Sequence, residues 1–504
     1  MIHQRLAALE AISRRLDPGA AGRAALRDPV IAYAERFLES LASRPTYLVT
    51  PDKGRGLLDT PISEDGIGID RVIDLVERQV DRPGLNPASG GHFGYIPGGG
   101  LYASSLGDYL ADVGNRYAGV FFSSPGAVYL EHQLLRWMAD LVGLPASAGG
   151  TLTSGGSIAN LIAIVTAREH HGLRARDVEG TVVYVSSQTH HCVAKALRVV
   201  GLGECVTRYV PLDANHRMRP DALETMVGED HDAGLRPWLV VASAGSTDVG
   251  AVDPLDALAE VAASQGLWYH VDGAYGAFFA LTDQGRERLR GIERADSVVM
   301  DPHKTLFLPY GSGVVLVRDR ATLLAAFRSE APYLQDTLGS TDEPSPADLS
   351  PELTRPFRGL RLWLPLMVHG VATFRAALEE KLLLARYFRE RVAGLGYEVG
   401  PEPDLSVVTY RWVPAAMRDG TRPYDLETVN RINAGIIDLI REDGRVYLSS
   451  TNIHGVFTLR FACVVHRSHR AQVDQVLEVL AEVAPRAEQA VLAQAGRPEV
   501  PSSP

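Results

Sequence analysis

The chain has 504 residues, 46% hydrophobic and 22% charged, so it is long enough to bury a large core, and its composition excludes disordered and fibrous classes. Its formal net charge of −11 argues against a nucleic-acid-binding protein, which needs a basic surface. The three cysteines lie far apart without paired spacing, which excludes a disulfide framework or a zinc ribbon and fits a reducing cytoplasm.

The first 149 residues have mainly helical patterns. Met1 to Pro18 alternate apolar and charged residues at helical spacing, without the apolar core of a signal peptide. Further helical patterns surround a Pro- and Gly-rich connection at 45–68 and a glycine-rich turn at Gly98–Gly100. No stretch approaches the ~20 apolar residues of a membrane span. We therefore expect a cytoplasmic protein with neither a membrane partner nor a nucleic-acid partner.

Residues 150–320 alternate short β-branched runs with helical stretches such as Pro254–Gln265. This alternation is typical of a mainly parallel sheet covered by helices, so it predicts an α/β fold. The predicted strands are Thr181–Val185, Trp238–Val241, Trp268–Val271, Ser297–Met300 and Gly313–Val317.

The last third of the chain predicts a smaller domain. A polar segment at 335–354, rich in Pro, Ser and Asp, has no periodic apolar pattern, and loops of that length are usually lids or disordered segments. Helical patterns resume from 357 to about 395, before candidate strands at 405–412, 445–449 and 456–463 and a closing helix at 468–484. We expect an N-terminal helical segment (1–89), a large α/β domain (90–360) whose loop 330–354 is a mobile lid, a small C-terminal α+β domain (361–494) and a flexible tail (495–504).

Lysine is scarce in this sequence. Of the 50 basic residues only four are lysines, namely Lys53, Lys195, Lys304 and Lys381. Because arginine stays protonated, whereas a desolvated lysine can lose its proton and attack a carbonyl, each lysine is a candidate for chemistry. Lys304 follows a predicted strand in the motif Met300-Asp301-Pro302-His303-Lys304 and alone precedes an apolar stretch. The other interpretation of this motif is a surface turn that carries a lysine.

Three further motifs fall, like Lys304, near the carboxyl ends of candidate strands. In Thr153-Ser154-Gly155-Gly156-Ser157, small residues at a helix start expose backbone N–H groups to an anion, unless the serine simply caps the helix. Asp272 ends a buried strand, where open α/β sheets bind ligands, unless it caps the next turn. In Gln188-Thr189-His190-His191, a histidine fits the core or the surface equally, and the pair also suggests a metal site.

Together these motifs fit one cofactor, pyridoxal 5′-phosphate (PLP). PLP needs a phosphate cradle, a lysine for its aldehyde and an acid partner that keeps its pyridine nitrogen cationic as an electron sink. It also benefits from a flat side chain stacked on its ring. Ser157, Lys304, Asp272 and His190 supply these four functions in the sequence.

The sequence resembles the group II PLP-dependent amino-acid decarboxylases, a fold-type-I family that includes aromatic-amino-acid, histidine and glutamate decarboxylases. The resemblance covers roughly residues 30–485 and lies in the segments TSGGSIAN, QTHH, AGSTDVGAVDP, HVDGAYGA and DPHKT. It implies a mainly parallel seven-stranded sheet with helices on both faces, a small C-terminal α+β domain and an N-terminal helical segment. It also implies a homodimer with shared active sites.

The resemblance assigns a role to each matching residue. It places Gly156, Ser157 and His303 at the phosphate, His190 on the ring face, Ala274 beneath the ring, Thr247 near the phenolic oxygen, Asp272 at the pyridine nitrogen and Lys304 on the aldehyde as a Schiff base. Tyr333 matches a loop tyrosine that donates a proton to the substrate and comes from the partner subunit. The catalytic residues implied are thus Lys304, His190, Asp272 and Tyr333. Tyr95, Pro97 and Gly98 match the substrate-binding segment.

Three positions depart from the family pattern. Ile158 stands where a glutamate usually follows the phosphate serine. Asp301 stands where some members have an asparagine that touches phosphate, and because a second anion would repel the phosphate, we expect a structural role for Asp301. Gly98 lacks the hydroxyl that is common at its position.

The reaction we expect is decarboxylation of an L-amino acid to its amine and CO₂. Tyr95 and the lack of an obvious arginine clamp favour an aromatic or apolar substrate over glutamate. The alternatives are a PLP-dependent aldehyde synthase or a retro-aldol lyase, and Tyr333 favours decarboxylation because aldehyde-forming relatives typically have Phe there. A non-enzymatic scaffold is disfavoured because every cofactor position is filled. A metal hydrolase is disfavoured because no histidine pair has helical ligand spacing, so no metal is expected.

Overall fold

The computed structural model describes residues 1–328 and 344–495, with side chains described up to residue 493. The N-terminal part is mainly helical, in agreement with the sequence. Its elements are α1 (Ile2–Ser13), α2 (Ala20–Glu39), β1 (Tyr47–Leu48), α3 (Ile69–Leu75), β2 (Gly84–Leu85), α4 (Tyr102–Gly114) and α5 (Pro125–Leu141). The two short strands pair antiparallel. Within the single chain, α1 and α2, which are described completely, bury none of their residues.

Strands and helices alternate through the next part of the chain. The elements are β3 (Gly149–Thr153), α6 (Gly156–His170), β4 (Thr181–Val185), α7 (Cys192–Val199), β5 (Val206–Tyr209), α8 (Pro220–Asp232), β6 (Arg236–Ser243), α9 (Leu255–Gln265), β7 (Trp268–Asp272), α10 (Asp283–Arg288), β8 (Ser297–Met300), α11 (Pro302–Thr305), β9 (Gly313–Val317) and α12 (Arg320–Phe327). In the described chain, seven strands form one sheet in the order β3-β9-β8-β7-β6-β4-β5. Strand β9 runs antiparallel to both neighbours, and the other pairs are parallel. The predicted mainly parallel seven-stranded sheet is confirmed.

Helices cover both faces of this sheet because alternate side chains of each strand point to opposite faces. Val183 and Val241 pack into an apolar core with residues of α6, α7 and α12. Val182 and Val240 pack into a second core with residues of α5, α8 and α9. The burial of both faces explains why the central strands are continuous apolar runs rather than alternating ones.

The C-terminal part forms the predicted small α+β domain. Its elements are α13 (Gly359–Gly394), β10 (Glu398–Val399), β11 (Val407–Arg411), α14 (Ala415–Arg418), α15 (Leu426–Asp443), β12 (Ser449–Ile453), β13 (Val456–Ala462) and α16 (Arg470–Ala495). The strands form an antiparallel sheet in the order β10-β11-β13-β12 over its own apolar core. Helix α13 is kinked at Gly370, where φ is 72°. None of the helices that the structure describes is long and apolar enough to span a membrane. The predicted domain boundaries stay a prediction.

The strand predicted at 445–449 is wrong, because the strand begins at Ser449. His454 and Gly455 have φ values of 51° and 85°, and Ile453 pairs directly with Val456. Such a two-residue turn, with positive φ at both positions, fixes the register of a hairpin. The hairpin therefore consists of β12 and β13, and the buried segment before it connects to the sheet without belonging to it.

A buried ion pair anchors the strand that leads into the glycine-rich loop. Arg355 Nη2 lies 2.9 Å from each carboxylate oxygen of Glu131 in α5, and its Nη1 donates to Thr151 Oγ1 in β3 at 3.0 Å. Glu131 also accepts from the backbone N–H of Leu152 at 3.2 Å. Because loss of either partner would leave a buried charge unpaired, the pair holds α5, β3 and the segment before α13 in one arrangement.

Candidate active site

A cavity of about 470 Å³ opens at the carboxyl ends of β4, β6, β7 and β8. This position agrees with the general rule that open α/β sheets bind ligands outside the carboxyl ends of their strands. All eight residues that the sequence predicts as cofactor-binding line it: Gly156, Ser157, His190, Thr247, Asp272, Ala274, His303 and Lys304. The structure thus brings together residues that are spread over almost 150 positions of the chain.

The glycine-rich loop between β3 and α6 has a backbone that only glycine fits. Gly155 has φ of 151°, which L-residues rarely adopt. A Cβ on Gly156 would lie 2.9 Å from Asp301 Oδ2 and 3.3 Å from the Cβ of Ala274. Ser157 lies in the first turn of the 15-residue helix α6, whose free N–H groups and dipole favour an anion.

Lys304 lies in α11, directly after β8, and its amine lies near the carboxylates of Asp301 and Asp272. Its Nζ is 3.0 Å from Asp301 Oδ2. Burial alone would lower the pKa of Lys304, but the negative charges of Asp301 and Asp272 outweigh it and raise the pKa above its ordinary value. The amine is therefore protonated when the protein holds no cofactor. Asp301, for which the sequence predicts a structural role, lines the cavity and contacts this amine directly.

Asp272 ends β7, and both of its carboxylate oxygens accept hydrogen bonds from the protein. The backbone N–H of Ala274 donates to Oδ1 at 3.1 Å, and Asn160 Nδ2 donates to Oδ2 at 3.4 Å. Asn160, on α6, also lines the cavity, although no role for it was predicted from the sequence.

His190 follows β4 and faces the cavity, whereas the neighbouring His191 is exposed and does not line it. His190 Nδ1 accepts from the backbone N–H of Cys192 at 3.3 Å. Burial lowers the pKa of His190, assisted by the nearby charges of His191 and Lys304 and opposed by Asp272. A neutral imidazole at this position suits a side chain that stacks on a ring.

Arg460 of β13 holds the loop that contains Thr247. Its guanidinium donates to the carbonyl oxygens of Thr247 and Asp248, the latter at 2.5 Å, and to Ser449 Oγ at 2.8 Å. Arg460 is buried, and burial lowers the pKa of its guanidinium. The small domain thus fixes one wall of the cavity, a contact that no local sequence pattern indicates.

His303 completes the cavity beside Lys304. Its Nδ1 donates to the carbonyl oxygen of Ser312 at 2.5 Å, which leaves Nε2 on the side of Asp301, 3.9 Å from Oδ2. Because a carbonyl only accepts, Nδ1 must carry a proton in this contact.

The residues present fit PLP. A helix N-terminus and Ser157 suit its phosphate, the amine of Lys304 suits its aldehyde, and the Asp272 carboxylate suits its pyridine nitrogen. Among the described residues, no group of three or more His, Cys, Asp or Glu side chains is placed to hold a metal ion.

Comparison with known proteins supports the cofactor that the cavity residues fit. Residues 51–413 match the family described as pyridoxal-dependent decarboxylase conserved domain. The chain belongs to this family.

Relatives of this decarboxylase are similar along most of their length. The aromatic-L-amino-acid decarboxylase of Bacillus atrophaeus is 32% identical over 459 residues, 90% of this chain and 92% of that protein. The phenylacetaldehyde synthase of Arabidopsis thaliana is 28% identical over 429 residues, 82% of this chain and 86% of that protein. The crystal structure of Oryza sativa TDC with PLP and tryptamine matches with a TM-score of 0.86 at 26% identity, over 93% of this chain and 99% of that chain. The chain is a PLP-dependent amino-acid decarboxylase.

The predicted substrate segment of the decarboxylase does not line this cavity. Tyr95 is 56% exposed, and its hydroxyl lies 3.0 Å from that of Tyr447. Pro97 and Gly98 are buried, and a Cβ on Gly98 would lie 2.0 Å from the carbonyl oxygen of His303. The lack of a hydroxyl at Gly98 therefore has a steric reason: the backbone approaches the segment of Lys304 too closely for any side chain.

The predicted loop tyrosine, Tyr333, lies outside the described residues. The described end of the predicted lid, 344–354, contains a short 3-10 helix at Pro346–Leu349 and packs its Leu349 into the core beside α6 and α12. The lid itself stays a prediction.

We expect the substitution Asp301→Asn to shift the pH dependence of cofactor capture to lower pH. Only the unprotonated amine of Lys304 attacks an aldehyde, so capture accelerates as pH rises through the pKa of Lys304. Asp301 raises that pKa, so its neutral replacement lowers it. The rate at which PLP-free protein gains its visible absorbance band on mixing with PLP, measured across pH, checks this. A profile identical to that of the wild type would show that Asp301 does not control the amine.

Proposed function

We propose that this decarboxylase converts an aromatic L-amino acid to its amine and CO₂. One observation carries the substrate class: among the described residues that line the cavity, Lys304 is the single lysine and no arginine is present. A second carboxylate, such as that of glutamate, would therefore lack a permanent cation to pair with. The 32% identity to the Bacillus atrophaeus aromatic-L-amino-acid decarboxylase supports the same choice.

Each cavity residue has a defined task in this proposal. When bound, PLP supplies an electron sink for the electron pair that CO₂ leaves behind. Asp272 keeps a proton on the pyridine nitrogen of the cofactor, and its fixed charge stabilises the cation without reorganisation. His190 would stack on the ring of the cofactor, and the small side chain of Ala274 would leave room for it. Thr247 binds near the phenolic oxygen.

The remaining tasks concern the phosphate and the amine. Gly156, Ser157 and His303 bind the phosphate at the start of α6. Lys304 would hold the aldehyde of the cofactor through its Nζ. The proton that Lys304 Nζ must lose before it reacts has an acceptor 3.0 Å away in Asp301 Oδ2.

Tyr333 acts in this proposal as the acid that donates a proton to the α-carbon of the substrate. The support is its position in the sequence Ala331-Pro332-Tyr333-Leu334, which resembles the loop tyrosine of the family. We also propose that Tyr333 reaches the cavity from a second copy of the chain, so that the enzyme is a homodimer.

Exposed apolar side chains support a homodimer. Ile2, Leu6, Leu9 and Ile12 of α1 and Leu106, Tyr109, Leu110 and Val113 of α4 are each more than 40% exposed in the single chain. Within each helix these residues are spaced three or four apart and so share one face, and an exposed apolar face usually marks a protein interface. The cysteines, all of them unpaired and buried, further support a reducing compartment such as the cytoplasm.

Aldehyde synthesis is the second candidate, because the phenylacetaldehyde synthase of Arabidopsis thaliana is 28% identical to this chain. The two candidates share Lys304, Asp272 and His190 and differ in their products. A product assay therefore separates them.

We expect the PLP-loaded protein to release CO₂ and the matching amine from tyrosine, tryptophan or phenylalanine, but not from glutamate. Mass spectrometry of the products from a panel of amino acids checks this, and Lys304→Ala, which removes the attacking amine, should abolish turnover. Turnover of glutamate without any aromatic substrate would contradict the proposed substrate class. Aldehyde and ammonia as main products would favour the second candidate.

Subunit mixing tests the shared active site. Lys304→Ala and Tyr333→Phe subunits should each make little amine as homodimers. If Tyr333 acts across the interface, each hybrid dimer contains one intact site, so random pairing should restore about a quarter of wild-type amine formation. No recovery after verified exchange of subunits would contradict a tyrosine supplied by the partner.

A further inference from the structure

A chain of buried hydrogen bonds runs from Asp272 away from the cavity into the core. Asn160 Nδ2 donates to Asp272 Oδ2 at 3.4 Å, and Asn160 Oδ1 lies 2.8 Å from His270 Nε2. His270 Nδ1 lies 2.7 Å from Ser297 Oγ, which also accepts from Trp268 Nε1 at 2.9 Å. All five side chains are buried, and of these residues only Asn160 and Asp272 line the cavity.

The strand geometry explains why these side chains meet. Trp268, His270 and Asp272 are alternate residues of β7, so they point to the same face of the sheet. Ser297 of β8 is the direct register partner of His270. Helix α6, which carries Asn160, packs on this face. The opposite face of β7 presents the apolar-core residues Tyr269 and Val271 instead.

The protons of this chain have one consistent arrangement. Asn160 Nδ2 faces two acceptors, Asp272 Oδ2 and the carbonyl oxygen of Gly156 at 2.9 Å. Rotating the amide by 180° would set its oxygen against both acceptors, so Oδ1 must face His270 Nε2, which therefore donates. Trp268 Nε1 can only donate, so the Ser297 hydroxyl is free to donate to His270 Nδ1. His270 is thus a neutral imidazole with its proton on Nε2.

Such a chain fixes orientation more than it adds stability. A buried hydrogen bond contributes only about 1 kcal/mol net, but a rotation that breaks it leaves a buried group unpaired at a cost of about 1–3 kcal/mol. Asn160 therefore cannot turn away from Asp272 without breaking its bonds to Gly156 and His270 as well. The carboxylate is held on one oxygen by this chain and on the other by the backbone N–H of Ala274.

We propose that Asn160 and His270 are positioning residues that aim the carboxylate of Asp272 at the pyridine nitrogen of the cofactor. The inference rests on the proposed function, in which Asp272 is the partner of that nitrogen. A neutral His270 brings no second cation to compete for the carboxylate, and burial lowers the pKa of His270 to about 4, which keeps it neutral. The full negative charge of Asp272 then remains directed at the cavity.

The test measures the affinity of the protein for PLP rather than its turnover. We expect His270→Leu and Asn160→Leu each to raise the Kd of PLP about tenfold, the lower end of the loss seen at metal sites when the hydrogen-bond partner of a ligand side chain is removed. The pH titration of the visible band of the lysine-bound cofactor should shift in both variants. His270→Gln, which keeps one donor and one acceptor, should restore most of the affinity. Equilibrium dialysis and absorbance titration give both readouts.

The small domain offers a matched control in Asn433. This buried asparagine also donates to the carbonyl oxygen four residues before it, that of Val429 at 2.8 Å, and its Nδ2 and Oδ1 bind the backbone of Trp412. Asn433 does not line the cavity. We expect Asn433→Leu to lower stability without changing the Kd of PLP, which separates a general effect on folding from an effect on Asp272.

A double-variant comparison decides whether the effect passes through Asp272. If His270 acts by aiming this carboxylate, His270→Leu should change the Kd little in an Asp272→Asn background. An equal loss in both backgrounds, or a wild-type Kd for His270→Leu while Asp272→Asn weakens binding, would overturn the positioning role alone. If Asp272→Asn itself left the Kd and the spectrum unchanged, the proposed role of Asp272 would fail as well.

Discussion

Lys304 Nζ lies 3.0 Å from Asp301 Oδ2 in a cavity that also contains the carboxylate of Asp272. A primary amine in a partly desolvated site would lose its proton easily, but these two negative charges keep it protonated. The same charges suit a ligand that forms a covalent bond to the amine and carries a positive charge to pair with a carboxylate. PLP satisfies both conditions, since its aldehyde reacts with the amine and its protonated pyridine nitrogen pairs with a carboxylate.

Close approach of the backbone sets the position of this amine. A Cβ on Gly98 would meet the carbonyl oxygen of His303, one on Gly156 would meet Asp301, and one on Gly313 would lie 2.5 Å from the Cα of Gly155. Gly98 and Gly156 thus pack against residues 301–304, and Gly313 packs against the glycine-rich loop, without room for side chains. The buried pair of Glu131 and Arg355 holds the strand before the glycine-rich loop, which helps to keep that loop in place beside the amine.

The sequence predicts the sheet and the cavity well because their determinants are local. Short β-branched runs predicted five of the seven strands. Strand β3 was missed because it begins with two glycines, and β5 was missed because it is a half-exposed edge strand. The roles of Asn160 and Arg460 depend on contacts between segments that are distant in the sequence; Asn160 and Asp272, for example, are 112 residues apart. Asp301 lies only three residues from Lys304, but the sequence did not show that its carboxylate faces the amine. The scarcity of lysine does not by itself identify the reactive residue, since Lys381 is fully buried and donates to the carbonyl oxygen of Ser468, whereas Lys53 and Lys195 are exposed.

One covalent attachment decides whether this cavity is the active site, and a single measurement locates it. PLP-loaded protein is reduced with borohydride, digested and analysed by peptide mass spectrometry, so that the reduced cofactor remains on the lysine that held it. Because the chain has only four lysines, each possible site gives a distinct peptide. We predict the modification on Lys304 alone. Attachment to Lys53, Lys195 or Lys381, or no attachment despite a visible cofactor band, would contradict the assignment of this cavity as the active site.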